Sequence, residues 1–149
     1  MKQYKHIGSY GLIIDGDKIL LINKVGGPYD GKLDLPGGTI EYGETPEETL
    51  IRELKEEVGI DTTKYNLYDG ISTDLEWIYK GELHKIQHIG FIYKIKKYSG
   101  NILKENIITE INDDSKGCNF YEINTLKKSM LSNIVLLELE KLGYEIKDW

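Results

Sequence analysis

Three glutamates, Glu53, Glu56 and Glu57, follow one another at a spacing that puts them within an arc of about 100° on a helix turning 100° per residue. Like charges at i and i+4 destabilise a helix by a few tenths of a kcal/mol, so this face needs something to offset its repulsion. A hard divalent cation takes all-oxygen ligands of this kind, whereas a plain solvated acidic face would carry the same residues without one. Two further carboxylates, Glu41 and Glu44, lie just upstream, and Gly37-Gly38 stands before them. A glycine turn leading into a helix N-terminus offers carbonyl oxygens to a metal and amides to a phosphate. That neighbourhood favours a site over a solvated face. Arg52 sits inside the cluster as the only arginine; the other eighteen bases are lysines. Its planar fork suits a bidentate carboxylate partner, which an ammonium cannot copy.

The elements that must position these groups are legible around them. Thr45 and Glu48 match a capping box, Pro46 suits the first helical position and Gly59 the C-terminal stop, so the spacing predicts a helix over 46–58. Leu50, Ile51, Leu54 and Val58 form its apolar stripe beside the acidic arc. Tyr10 to Ile14 and Lys18 to Ile22 read as a hairpin around Asp15-Gly16-Asp17, and residues 25–31 (VGGPYDG) as a loop. Residues 32–35 read as a short strand running into a turn at Pro36-Gly37-Gly38. Leu67–Tyr79 and Lys85–Lys97 read as a long hairpin, in which Ile89, Phe91, Tyr93 and Ile95 mark one buried face. Asn119–Ile123 reads as a strand and Leu131–Leu142 as a second amphipathic helix. Strands joined mostly by hairpins, with two helices, indicate an α+β layered fold in one domain over 1–149.

The run from Gly38 through Glu44 to Arg52-Glu53-Leu54-Lys55-Glu56-Glu57-Val58-Gly59-Ile60 resembles the signature of the Nudix hydrolases at every fixed position, with Leu35-Pro36-Gly37 similar to the family's entry turn. The motif covers 23 residues. Leu33 stands where many members have Trp, and Thr49-Leu50 where small alanines are common; neither change removes a functional group. The resemblance implies an α/β/α sandwich around a mixed, largely hairpin-built sheet. It also implies Mg²⁺-dependent (or Mn²⁺-dependent) cleavage of a nucleoside diphosphate linked to another group. It makes Glu53, Glu56, Glu57 and the Gly37 carbonyl metal ligands, with Arg52 orienting carboxylates through Glu44 and Glu53 the first candidate for the base. A glutamate beyond the motif often completes such sites, and Glu110 is the candidate here, ahead of Glu105 and Asp113.

Lys24 can reach a phosphate, Gly38 lets a substrate approach closely, and Tyr29 and Tyr42 are the loop aromatics best placed to stack on a base. His84 and His88, in a strand pattern, are too far apart for one ion and receive no role. With no proline after Pro46, the chain lacks a feature of ADP-ribose-cleaving members. It leans instead to a (deoxy)nucleoside triphosphate or oxidised nucleotide, yielding a monophosphate and pyrophosphate. An ADP-ribose or nucleotide-sugar pyrophosphatase is the alternative, and a non-catalytic nucleotide sensor the rival of another class.

The net charge of −6 over 149 residues agrees with that reading. Residues 38–60 hold seven of the 25 acids and two of the 19 bases, a net of −5, leaving −1 for the rest. An acidic chain without a basic stripe excludes a protein built to grip nucleic-acid backbone. The single Cys118 excludes a disulfide framework or a multi-cysteine metal site. No apolar run approaches ~20 residues and the N-terminus has no leader-like apolar segment, so a soluble cytoplasmic protein without a membrane partner is expected. The expected partner is a small phosphoanhydride, and a homodimer stays open.

Overall fold

The computed structural model describes residues 1–102 and 115–148. Its strands are β1 (Lys2–Leu12), β2 (Ile14–Asp15), β3 (Lys18–Lys24), β4 (Leu33–Asp34), β5 (Gly37–Thr39), β6 (Asp61–Tyr79), β7 (Glu82–Ser99) and β8 (Ser115–Glu122); its helices are α1 (Pro46–Val58) and α2 (Asn133–Lys141). They form two four-stranded sheets. The first has the order β5-β1-β7-β6, with β1 parallel to β7 and the other pairs antiparallel. The second is centred on β3, which pairs antiparallel with β2, β4 and β8.

β3 shows why the fold is layered. Ile19 and Leu21 point into one core and Leu20 and Ile22 into the other, as the two-residue period of a strand requires. One core is closed by Leu50, Leu54 and Val58 of α1, the other by Ile134, Val135 and Leu139 of α2. The result is the expected α/β/α sandwich, with two sheets between the helices where a single mixed sheet was anticipated. No helix among the described residues is long and apolar enough to cross a membrane.

α1 begins and ends where its caps place it. Thr45 accepts from the Glu48 amide, Glu48 reaches back to the Thr45 amide, and Gly59 (φ 83°) donates to the carbonyls of Leu54 and Lys55. The β6–β7 hairpin turns on Lys80 and Gly81, both at positive φ (51° and 76°), a geometry that suits the twist of paired strands.

Several boundaries differ from the sequence expectation. β1 starts at Lys2 rather than Tyr10, because its polar N-terminal half pairs in parallel with β7, a partner more than 80 residues away. Pro36-Gly37-Gly38 is not only a turn: Gly37–Thr39 adds a short strand to β1. On β7 the better-buried face is the opposite one to that expected: His84, Ile86, His88, Gly90 and Ile92 are buried, whereas of Ile89, Phe91, Tyr93 and Ile95 only Tyr93 is, the others being half-buried. β8 begins at Ser115 and α2 spans Asn133–Lys141, with Ser132 as its N-cap.

Candidate active site

The cluster is assembled by β5 and one face of α1. Ser9 on β1 donates to the Pro46 carbonyl at 2.7 Å, fixing the start of α1 against the sheet. The Gly37 amide donates to Glu57 Oε1 at 2.7 Å, and Glu57 is only 4% exposed. Gly37 has φ 144°, and a Cβ there would come within 2.1 Å of the Ser9 carbonyl oxygen and 2.7 Å of Tyr10 Cα, so only glycine fits. A Cβ on Gly38 would meet Glu53 Oε1 at 2.7 Å; the missing side chain makes room for a carboxylate.

Arg52 organises the rest. Its Nε and Nη2 donate to Glu44 Oε2 and Oε1 at 2.8 and 2.9 Å, a bidentate pair. Nη1 donates to Glu53 Oε1 at 2.9 Å and Glu56 Oε2 at 3.4 Å, while Nη2 also reaches the Thr39 carbonyl at 3.4 Å. Glu41 stands 3.7 Å from the same guanidinium. Glu44 accepts in addition from the Thr49 hydroxyl (2.9 Å) and the Glu41 amide (3.0 Å). The Arg52 hydrogen bonds come first among the causes that lower the Glu44 carboxyl to about 2, so it is ionised throughout the working range. Arg52 is raised in turn by Glu44. Thr49, where small alanines were noted as common, thus serves as a second donor to Glu44.

The residues suit a hard divalent cation in donor type and in place: carboxylates on one helix face, opposite a glycine turn too tight for side chains. Among the described residues, no three such side chains converge closely enough to hold an ion as they are placed. Arg52 draws Glu53 and Glu56 to itself, and Glu57 is turned to Gly37. A cation would compete with Arg52 for the Glu53 and Glu56 oxygens that share its Nη1.

Gly37, Gly38, Glu44, Arg52, Glu53, Glu56 and Glu57 are thus brought together. Tyr42 projects fully into solvent on the loop before α1. Tyr29 is 7% exposed, with its hydroxyl 3.0 Å from His88 Nδ1. Lys24 lies at the end of β3, and its positive charge is one of the causes that lower the same histidine's imidazole. Glu110, like Glu105 and Asp113, lies outside the described residues. The sequence reading missed Thr39, Tyr10 and His88 as neighbours of the site. His88 escapes that reading because its alternation puts Ile89, Phe91, Tyr93 and Ile95 inward, whereas His88 is buried on the opposite face with Ile86, Gly90 and Ile92.

A family model described as the NUDIX domain matches residues 5–132. An ADP-ribose pyrophosphatase of Methanocaldococcus jannaschii is 35% identical over 118 residues, 79% of this chain and 62% of that protein. The 8-oxo-dGTP diphosphatase of Escherichia coli is 55% identical over 38 residues, 26% of this chain and 30% of that one. The chain therefore spans under two thirds of these relatives' lengths. The crystal structure of a MutT NUDIX hydrolase from Burkholderia pseudomallei superposes with a TM-score of 0.72 at 23% identity, covering 93% of this chain and 98% of that one, which shows a shared fold. The family match runs from β1 to the N-cap of α2 and takes in the whole carboxylate cluster: the chain belongs to the NUDIX domain family.

Proposed function

We propose that this chain is a divalent-metal-dependent hydrolase that cleaves the diphosphate of a nucleoside diphosphate linked to a further group. The favoured substrates are a (deoxy)nucleoside triphosphate or an oxidised nucleotide, giving a monophosphate and pyrophosphate. The observation that carries the reading is Arg52, which gathers Glu44, Glu53 and Glu56 beside the Gly37-Gly38 turn.

Glu53, Glu56, Glu57 and the Gly37 carbonyl would hold Mg²⁺ or Mn²⁺, which when bound neutralises diphosphate charge and acidifies water. Each residue then has a task. Glu53, oriented by Arg52, accepts a proton from the attacking water. Arg52 stays charged and, anchored on Glu44, keeps the carboxylates from turning away. Gly38, by lacking a side chain, leaves room for the Glu53 carboxylate that the diphosphate's metal would need, and Lys24 supplies a cation for a phosphate oxygen. Tyr42, exposed beside the site, is available to stack on a base. Glu110 is proposed as a further carboxylate for the ion.

A second reading, ADP-ribose or a nucleotide sugar, is favoured by one observation. The relative named an ADP-ribose pyrophosphatase matches over 118 residues, whereas those named 8-oxo-dGTP diphosphatases from Escherichia coli, Proteus vulgaris and Haemophilus influenzae match over 37 to 44. A panel of (deoxy)nucleoside triphosphates, oxidised dGTP, ADP-ribose, nucleotide sugars and dinucleoside polyphosphates, incubated with Mg²⁺ and resolved by chromatography, separates the readings. Highest kcat/KM on a triphosphate supports the first, and on ADP-ribose the second. Mg²⁺-independent binding with no turnover on any member would overturn both in favour of a sensor.

A further inference from the structure

His88 lies in the middle of β7, 1% exposed, where a strand usually carries an apolar residue. Both ring nitrogens are engaged: Nε2 with the Tyr10 hydroxyl at 2.6 Å and Nδ1 with the Tyr29 hydroxyl at 3.0 Å. His6, directly across the β1–β7 pairing, stacks on its ring with centroids 4.7 Å apart and planes 10° from parallel. Burial foremost, then His6 and Lys24, pushes the His88 imidazole down to about 3, so it is neutral in the fold. A neutral imidazole has one N–H and one bare nitrogen, so one tyrosine donates to it and the other accepts.

Two of these neighbours belong to the carboxylate site. The Tyr10 ring lies against Gly37, whose absent Cβ would come within 2.8 Å of Tyr10 Cδ1, and the Gly37 amide is held by Glu57. His6 Nε2 pairs with the Thr39 hydroxyl at 2.6 Å, and the Thr39 carbonyl accepts from Arg52. The third, Tyr29, belongs to the loop 25–31. That loop closes on itself through Gly31 N–H to the Lys24 carbonyl, Lys32 N–H to the Tyr29 carbonyl and Gly26 N–H to the Asp30 carboxylate. Gly26, Gly27 and Gly31 all have positive φ (75°, 71° and 76°), so the loop is costly to order and gains from an anchor on the sheet.

We infer that His88 is a positioning residue: by holding Tyr29 on one nitrogen and Tyr10 on the other, it pins the loop 25–31 and Lys24 to the strands that carry the Gly37-Gly38 turn. The spacing between the phosphate-binding lysine and the carboxylates is thereby fixed. Lys24's phosphate role comes from the function proposed above, and the inference rests on it. The Tyr29 hydroxyl acts here as a latch.

The variants separate the two bonds of His88. Tyr29→Phe removes only the latch hydroxyl. His88→Gln puts an amide near the Nε2 position and keeps Tyr10 while releasing Tyr29; His88→Asn does the reverse. Hydrogen exchange of the amides of residues 25–32 is followed alongside KM and kcat on the best substrate of the panel. Expected in Tyr29→Phe and His88→Gln are amide exchange faster by about tenfold and KM higher by about fivefold to twentyfold, with kcat within about threefold of wild type. His88→Asn restores KM towards wild type, and Tyr29→Phe combined with His88→Gln adds nothing to either alone. The inference is overturned if Tyr29→Phe leaves loop exchange unchanged, or if the loop loosens while KM stays at the wild-type value. It is also overturned if both His88 variants lose KM, kcat and thermal stability alike, as a merely structural residue would. Absence of turnover in the wild type would instead strike the proposed function, and the exchange rates would still decide whether His88 holds the loop.

Discussion

Arg52 spends its whole guanidinium on carboxylates and one carbonyl, so its geometry matters more than its charge. Lysine at this position would keep the charge and lose the fork. We expect Arg52→Lys to lower kcat/KM by about tenfold to a hundredfold with an unfolding midpoint close to wild type, measured by steady-state kinetics beside thermal melts. The Arg52–Glu44 pairing was legible in the sequence, because a single arginine among lysines signals a demand for a fork. The role of Thr49 was not, since a threonine inside a helix gives no sign of the carboxylate it will meet. Nor was the Tyr29–His88 bond, whose partners lie 59 residues apart, one in the β3–β4 loop of one sheet and the other on β7 of the second.

At the scale of elements, the glycine turn and the helix it feeds divide the work. Gly37 faces backbone and Gly38 faces the end of a side chain, so the same substitution should have opposite signatures. Gly37→Ala should prevent stable folding or cost more than about 3 kcal/mol, because the Ser9 carbonyl cannot yield without parting β5 from β1. Gly38→Ala should fold and lose activity, because Glu53 must move to make room. Denaturant melts and kinetics on the two variants check both statements. The bounds of α1 were legible to the residue because every signal there is local: cap, proline, stripe and stop. The N-terminal half of β1 was not, because Lys2-Gln3-Tyr4-Lys5-His6 becomes a strand only through a partner at Glu82–Ser99.

α2 adds a pH dependence at the same scale. Glu138 is fully buried on α2 beside Asp69 of β6, which accepts from Lys141 at 2.6 Å. Burial first, and Asp69 second, raise the Glu138 carboxyl to about 7. A carboxyl raised in the fold stabilises it when protonated. Its contribution is complete below the ordinary carboxylate pKa and is lost as pH climbs through that value towards 7. Glu138→Gln, uncharged at every pH, should therefore melt higher than wild type at about pH 8, by roughly 1–2 kcal/mol, and converge with it near pH 4. Parallel melting curves for the two proteins across that range would contradict the assignment.

Over the whole molecule, the charge of −6 is a local property: −5 lies between residues 38 and 60 and the scaffold is close to neutral. The fold gathers Glu41, Glu44, Glu53, Glu56 and Glu57 around Arg52 and Gly37, between α1 and β5. The layering was legible from hairpin-linked strands mixed with two amphipathic helices. The split into two sheets was not, since which strands pair is decided by contacts distant in sequence, such as β3 with β8. The central claim is that the glutamates of α1 carry a metal-dependent cleavage. The most direct measurement is monophosphate release from the best panel substrate by wild type, Glu56→Gln and Glu57→Gln, each folded by circular dichroism, with Mg²⁺ and with EDTA. The account predicts Mg²⁺-dependent release by the wild type, abolished by EDTA, and kcat lower by at least about a hundredfold in each variant. Near-normal turnover in both variants, or turnover indifferent to EDTA, would contradict it.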